Sequence, residues 1–182
     1  MMIERAHNDD LGEILALQKL AYQSEAELYD DHSIPPLTQT IEGIEGDFRS
    51  HLFLKATISE MIVGSVRAYM NHGTCYVGRL MVHPDFQNQG IGTKLLQAIE
   101  HHCSGAKRFE LFTRHRSERN THLYEKNRYR EFRREQPSKN IIMVFMGKKP
   151  ENHPQRHSQS LDRNSYSLVL SIHSAISNCA FR

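Results

Sequence analysis

An α+β fold, with a mostly antiparallel sheet held between helices, is what this 182-residue sequence predicts. Three observations carry that reading. Residues 51 to 82 contain three runs rich in β-branched and aromatic residues, HLFLKATI, MIVGSVRAYM and TCYVGRLMV, separated only by Ser59-Glu60 and by Asn71-His72-Gly73. Such short breaks are those of an antiparallel meander with tight turns. Helical spacing of apolar residues brackets the meander on both sides. Finally, 38% apolar content spread over most of the length suffices for one core and one domain.

Taken in order, residues 2 to 6 read as a short strand, and Asn8 or Asp9 can cap a helix in which Leu11, Ile14, Leu15, Leu17 and Leu20 or Ala21 share a face. Ser33-Ile34-Pro35-Pro36 breaks that pattern, so Thr38 is expected to open a second short helix through Ile41, Ile44 and Phe48. After the meander, a helix following Gly92 carries Leu95, Leu96 and Ile99 and ends near Ser104-Gly105. RFELFT is a strand, ERNTHLYEKN a helix and IIMVFM a last strand. Residues 148 to 164 hold no aromatic residue and one aliphatic residue, the composition of a linker or of a segment prone to disorder. The expected division is a domain over 1–147 and a linker and tail of unassigned role over 148–182.

Composition narrows the function classes. A net charge of +2 argues by itself for neither a nucleic-acid nor a membrane partner. Between Lys107 and Arg134, ten Lys or Arg stand against Glu110, Glu118, Glu125 and Glu131, a balance of +6. Solvated helix and strand faces account for that bias more simply than a nucleic-acid surface does. Cys75, Cys103 and Cys179 are odd in number, widely spaced and free of CxxC, as expected of reduced thiols in a cytoplasm. The first residues, MMIERAHNDDLGEILAL, lack the cationic start and apolar core of a signal peptide, and no apolar run is long enough to span a bilayer. A cytoplasmic protein is expected. No metal is expected from the twelve histidines: His101-His102 point to different helix faces, and His153 and His157 lack partners at ligand spacing.

The informative stretch is VHPDFQNQGIGTKLLQAIE, residues 82 to 100. A strand end, a glycine-containing loop and a helix start gather unpaired backbone N–H groups around one point, and the helix dipole adds positive potential there. Such a point binds anions, phosphate above all. Gly90 and Gly92 permit close backbone approach, Thr93 can add a hydroxyl donor, and Gln87, Asn88 and Gln89 are neutral donors suited to a pyrophosphate. Taken alone, two glycines at a strand-to-helix turn are more often only the chemistry of the turn, and they carry no function by themselves.

Residues 79 to 99, RLMVHPDFQNQGIGTKLLQAI, resemble the acetyl-CoA signature of the GNAT superfamily of N-acetyltransferases, Gln/Arg-x-x-Gly-x-Gly/Ala after a hydrophobic strand and V-x-P. Asn120 and LYEKNRY, residues 123 to 129, resemble a second block of that family. The resemblance covers roughly residues 1 to 147. It implies a GNAT-like three-layer α-β-α fold around a mostly antiparallel mixed sheet, with acetyl-CoA as cofactor. By the same resemblance, the backbone of Leu80, Met81 and Val82 would hold the pantetheine arm, and the loop Gln87, Asn88, Gln89, Gly90, Ile91, Gly92 and Thr93 the pyrophosphate. Asn120 would contact the pantetheine or the phosphates, and Tyr124 would stand near the thioester sulfur. The chemistry agrees, because an amine attacking a thioester expels a thiolate that a phenol can protonate.

This chain departs from the family at two positions. Arg128 stands where the family usually has Gly in a left-handed conformation, which Asn127 could adopt instead; Arg114 likewise replaces a common Gly. Either arginine could be a surface change, a stability defect or an addition near the cofactor's 3'-phosphate. From Leu20 through Phe48 there is no Lys or Arg, while Glu25, Glu27, Asp30, Asp31, Glu42, Glu45 and Asp47 supply seven acids. The resemblance puts this segment beside the acceptor site, where it would attract a cationic amine or serve as an ordinary solvated face. Glu27 and Asp31 are the better candidates for the base. Cys75 has no activating His or Asp placed by sequence, so direct transfer in a ternary complex is preferred to an acyl-enzyme. The expected function is N-acetyl transfer to a small-molecule or peptide amine, with a homodimer compatible. The alternative is a noncatalytic acyl-CoA-binding or regulatory module.

Overall fold

The computed structural model describes residues 1–138 and 140–150; the proposed tail therefore lies outside the described residues from 151 onward. Seven strands form one sheet in the order β1-β2-β3-β4-β5-β7-β6. They are β1 (Met2–Arg5), β2 (Leu52–Ile58), β3 (Met61–Asn71), β4 (Thr74–Val82), β5 (Arg108–Arg114), β6 (Arg130–Ser138) and β7 (Ile141–Lys148). Every neighbouring pair is antiparallel except β4 and β5. The meander closes as its turn residues require: Ser59 and Glu60 have φ 47° and 69°, His72 and Gly73 have φ 46° and 80°. Two successive left-handed residues match the right-handed twist of the strands they join.

Helices cover both faces. The first layer is α1 (Leu11–Tyr29), α2 (Pro35–Thr38) and α3 (Ile41–Phe48); the second is α4 (Ile91–His102) and α5 (Glu118–Lys126). Leu11, Ile14, Leu15 and Leu17 of α1 join Ile44 of α3 against Phe53, Ile62 and Met81 on one sheet face. Ile91, Leu95, Leu96 and Ile99 of α4 and Tyr124 of α5 pack on Leu54, Val63, Val66 and Val77 on the other. The architecture is the three-layer α-β-α arrangement expected. Close packing of α4 depends on Gly64 in β3, where a Cβ would stand 2.9 Å from Leu95 Cδ1 and 3.1 Å from the Met81 carbonyl oxygen.

Three local expectations need correction. Thr38 ends the short helix α2, with two prolines in its first turn; the next helix is opened by Thr40, whose hydroxyl accepts from the Gly43 amide at 3.2 Å. Prolines lack an amide hydrogen and have a fixed φ, so they suit a helix start as well as they stop one. The strand β6 was not expected. All of its described residues are exposed, so REFRREQPS shows no apolar alternation, and its pairing with β7 supplies the order instead. Arg128, not Asn127, takes the left-handed conformation, with φ 69° against −91° for Asn127.

Candidate active site

The sheet splits where its one parallel pairing ends. β4 and β5 pair only from Thr74↔Arg108 to Tyr76↔Glu110, yet β4 runs on to Val82 and β5 to Arg114. Beyond Tyr76, the β5-facing edge of β4 has no strand partner among the described residues. A bulge sits at the same place: Arg79 and Leu80 together oppose Val66, between the pairs Arg67↔Gly78 and Ser65↔Met81, and Arg79 has φ 48°. Bulges re-aim side chains and end pairing. This one leaves backbone groups of Leu80, Met81 and Val82 on an open edge that an extended ligand can join as a strand would.

The loop after β4 leads into α4 with Gly90 as its N-cap, at φ 79°. No side chain caps this end, and the helical hydrogen bonds begin with the Lys94 amide donating to the Gly90 carbonyl at 3.1 Å. The amides of Ile91, Gly92 and Thr93 consequently lack helical acceptors, as in any first turn. Gly92 faces α5: a Cβ there would lie 3.3 Å from Leu123 Cδ2. The loop is braced by side chains. Gln87 Nε2 donates to the Val82 carbonyl at 3.0 Å, and Gln87 Oε1 and Asn88 Oδ1 both accept from the Arg119 guanidinium of α5, the latter at 3.1 Å. Gln89 Nε2 reaches the Asp85 carbonyl at 3.4 Å. Asn120 is half-buried in the first turn of α5, next to Arg119. An open strand edge followed by an uncapped helix start thus fits a long ligand with an amide-bearing arm and a pyrophosphate.

Tyr124, one turn further along α5, is 7% exposed, and its ring centre lies 6.2 Å from that of Tyr129. Burial first, and then the neighbouring Tyr22 and Glu25, raise its phenol above the ordinary value. It therefore stays protonated and remains a donor. Cys75 is fully buried in the core beside Cys103, remote in character from an accessible nucleophile.

The C-terminal half of α1 closes the other side of the split. Tyr22, Glu25 and Tyr29 recur at helical spacing and face the sheet, whereas Glu27 is exposed. The Tyr29 hydroxyl accepts from the Arg116 amide at 2.6 Å, and its ring lies beneath the guanidinium carbon of Arg114 at 5.0 Å. Arg114 Nε is 3.8 Å from Glu25 Oε1, and Arg114 Nη2 is 3.7 Å from Asp31 Oδ2. Arg79 extends from the bulge over Tyr22, 5.8 Å from its ring centre, and its charge also acts on Glu25. Despite both arginines, burial holds the Glu25 carboxyl above its usual range. Asp31 moves the other way, lowered chiefly by hydrogen bonds from Ser33, its hydroxyl at 2.6 Å. Asp47 is met by Arg67 and by Gln39, each at 2.5 Å.

Part of the acidic segment is answered by the sheet: Glu25, Asp31 and Asp47 face its arginines, while Glu27, Asp30 and Glu42 are exposed. Of the two residues favoured as base, Asp31 reaches this cluster and Glu27 does not. Tyr22, Arg79 and Arg119 are not singled out by the sequence, and Glu25 counts there among the seven acids but ranks behind Glu27 and Asp31. The spacing of Tyr22, Glu25 and Tyr29 carried a signal for the first two; Arg79 depends on a bulge that no local pattern announces. Among the described residues, no group of three or more His, Cys, Asp or Glu is arranged to hold a metal, and no helix is long and apolar enough to cross a membrane.

Comparison with known proteins adds to this geometry. The model of the acetyltransferase (GNAT) family matches residues 13–128. UPF0157 protein YqkA of Bacillus subtilis (strain 168) is 32% identical over 101 residues, 56% of this chain and 29% of its own length, so the match spans under a third of that relative. Among solved structures, smu.2055 from Streptococcus mutans UA159 superposes with a TM-score of 0.71 at 15% identity, covering 82% of this chain and 99% of that one. The ribosomal-protein-S18-alanine N-acetyltransferase from Escherichia coli gives 0.69 at 16%, covering 87% and 99%. An aminoglycoside 6'-N-acetyltransferase complexed with coenzyme A gives 0.66 at 15%, covering 85% and 100%. At such identities the likeness is one of fold.

Proposed function

This chain belongs to the GNAT acetyltransferase family, and from that premise we propose that it transfers the acetyl group of acetyl-CoA to a primary amine by direct attack in a ternary complex. It is an acetyltransferase, and acetyl-CoA is the cofactor its family uses. The observation that carries the finer reading is the split between β4 and β5, with the Gly90 helix start and Tyr124 in the layer on one sheet face and Glu25 of α1 in the layer on the other.

Bound acetyl-CoA supplies a thioester whose acyl carbon is open to attack. The β4 edge at Leu80, Met81 and Val82 would hold its arm. The amides from Gly90 to Thr93, together with Gln87, Asn88 and Gln89, would hold its pyrophosphate. Asn120 lies beside them. Tyr124, kept neutral by burial, has the proton that a departing thiolate needs. Glu25 is suited to take a proton from the ammonium, because a carboxyl held above its ordinary range is closer in basicity to the group it must deprotonate. Asp31, lowered by Ser33 and exposed more, is the weaker base and orients Arg114. The acyl-enzyme route finds no support in Cys75, which the core encloses.

Calorimetric titration of the full chain with acetyl-CoA, followed by thiol release over a panel of primary amines, tests the reading. Saturable one-to-one binding with amine-dependent thiol release is expected. Tight binding without release to any amine would favour a noncatalytic acyl-CoA-binding module.

A further inference from the structure

Two guanidinium groups beside α1 hold N–H donors that no group among the described residues accepts. Arg79 Nε and Arg114 Nη1 are each buried without a hydrogen-bond partner among the described residues. Such orphans are uncommon, since a buried donor left unpaired forfeits what water gave it. Arg114 is 13% exposed at its side chain, and its two carboxylate neighbours stand at 3.7 and 3.8 Å, beyond hydrogen-bond length. Charge is balanced there, but the donors are not. Arg67, by contrast, is answered by Asp47 at 2.5 Å.

The two groups converge from different strands. Arg79 projects from the β4 bulge and Arg114 from the end of β5, and Glu25 of α1 lies under the influence of both. They share Glu25 as a neighbour with Tyr124, whose phenol burial, Tyr22 and Glu25 raise. A guanidinium is a planar fork matched to a carboxylate, and its unpaired N–H groups can only donate, so what completes them is an acceptor such as a carboxylate.

We propose that Arg79 and Arg114 form an acceptor subsite for a carboxylate, so that the amine acetylated by this protein carries a carboxylate of its own. The proposal rests on the N-acetyltransferase reading above and specifies its substrate class. Arg79 Nε and Arg114 Nη1 donate to the carboxylate, while Glu25 and Tyr124 remain for the amine and the sulfur. An amine-only substrate such as a diamine leaves both donors unpaired. The carboxylate can belong to a free amino acid or to the C-terminus of a short peptide.

The test uses matched substrates with the full chain and acetyl-CoA: ornithine against putrescine, phenylalanine against phenethylamine, and lysyl-glycine against lysyl-glycinamide. The amino-acid pairs and the dipeptide pair separate the two carboxylate sources. The carboxylate member is expected to show kcat/KM higher by roughly ten- to hundredfold, mostly through KM. Arg79→Gln and Arg114→Lys should erase that preference while leaving acetyl-CoA affinity in place. Arg114→Lys retains the charge between Glu25 and Asp31, so a folded protein is obtained even if a neutral side chain is not tolerated. Equal or faster transfer to the decarboxylated amines by the unaltered protein would overturn the subsite and leave the reaction standing. Transfer to no member, by protein that binds acetyl-CoA, would overturn the reaction and the subsite together.

Discussion

Arg119 Nη2 donates to Asn88 Oδ1 at 3.1 Å, joining the first turn of α5 to the loop that opens α4. The same guanidinium reaches Gln87 Oε1, and Gln87 in turn donates to the Val82 carbonyl. One exposed side chain thus ties strand end, loop and second helix into a single cradle, with Asn88 held at φ 62°.

Replacing Arg119 by Ala is expected to weaken acetyl-CoA binding about three- to tenfold, the worth of one or two exposed charged hydrogen bonds that order a loop. Because Arg119 is exposed, the melting temperature should scarcely move. Calorimetry and thermal unfolding on one preparation check both parts; unchanged affinity would mean the loop holds its shape without the brace.

Much of this arrangement was legible in the sequence, for identifiable reasons. The meander is written in β-branched runs with turns too short for anything but hairpins, and the helix after Gly90 follows from the periodicity of Leu95, Leu96 and Ile99. Those signals are local. β6 was not legible, because an edge strand exposed on both faces has no alternation to read. The charge cluster beside α1 resisted for a related reason: its charges balance only across distance, Glu25 and Asp31 of one segment against Arg114, eighty or more residues later. A one-signed stretch of sequence says nothing of the opposite sign that folding brings to it.

At Gly64, substitution by Ala should destabilise the protein by roughly 1–3 kcal/mol, the usual cost of overpacking. The added carbon meets the Met81 carbonyl oxygen at 3.1 Å, which cannot yield as a side-chain tip can, as well as Leu95 and Ile91. Displacing α4 from β3 moves the helix start, so acetyl-CoA affinity should fall along with stability. A denaturant midpoint equal to that of the unaltered protein would show that α4 has more room than these distances allow.

Arg128 pays a conformational cost at φ 69° that glycine would not. Arg128→Gly is expected to stabilise the fold by about 0.5–1 kcal/mol, the left-handed strain relieved less the entropy a glycine adds to the unfolded chain. Urea unfolding measures it directly. A loss of stability would show that contacts of the arginine side chain outweigh the strain.

The pH dependence of transfer should reveal Glu25. It faces Arg114 from β5 and Arg79 from β4, and its charge acts on Tyr22 of its own helix and on Tyr124 of α5. Burial raises its carboxyl, and a base must be ionised, so kcat/KM should fall as pH drops through a value above the ordinary carboxylate range. Glu25→Gln should abolish that acid limb and slow transfer by roughly a hundredfold. The Glu27→Gln variant serves as the comparison, since Glu27 is exposed; a lost limb there instead would reassign the base.

Tyr124→Phe separates the acid from the packing. The ring is 7% exposed and its aromatic body is retained by Phe, so the fold and the acetyl-CoA affinity should persist. Loss of the hydroxyl removes the proton offered to the departing sulfur, and kcat should drop by about a hundredfold. The direction of its shift adds a second check. Burial, with Tyr22 and Glu25 nearby, raises the phenol, so it stays protonated well beyond neutrality and contributes no alkaline limb below about pH 10. Rates for the unaltered protein should therefore climb with pH as amine and base lose their protons, without a decline that Tyr124 could explain. A Phe variant that turns over at the original rate would remove Tyr124 from the chemistry and leave it as a core aromatic of α5.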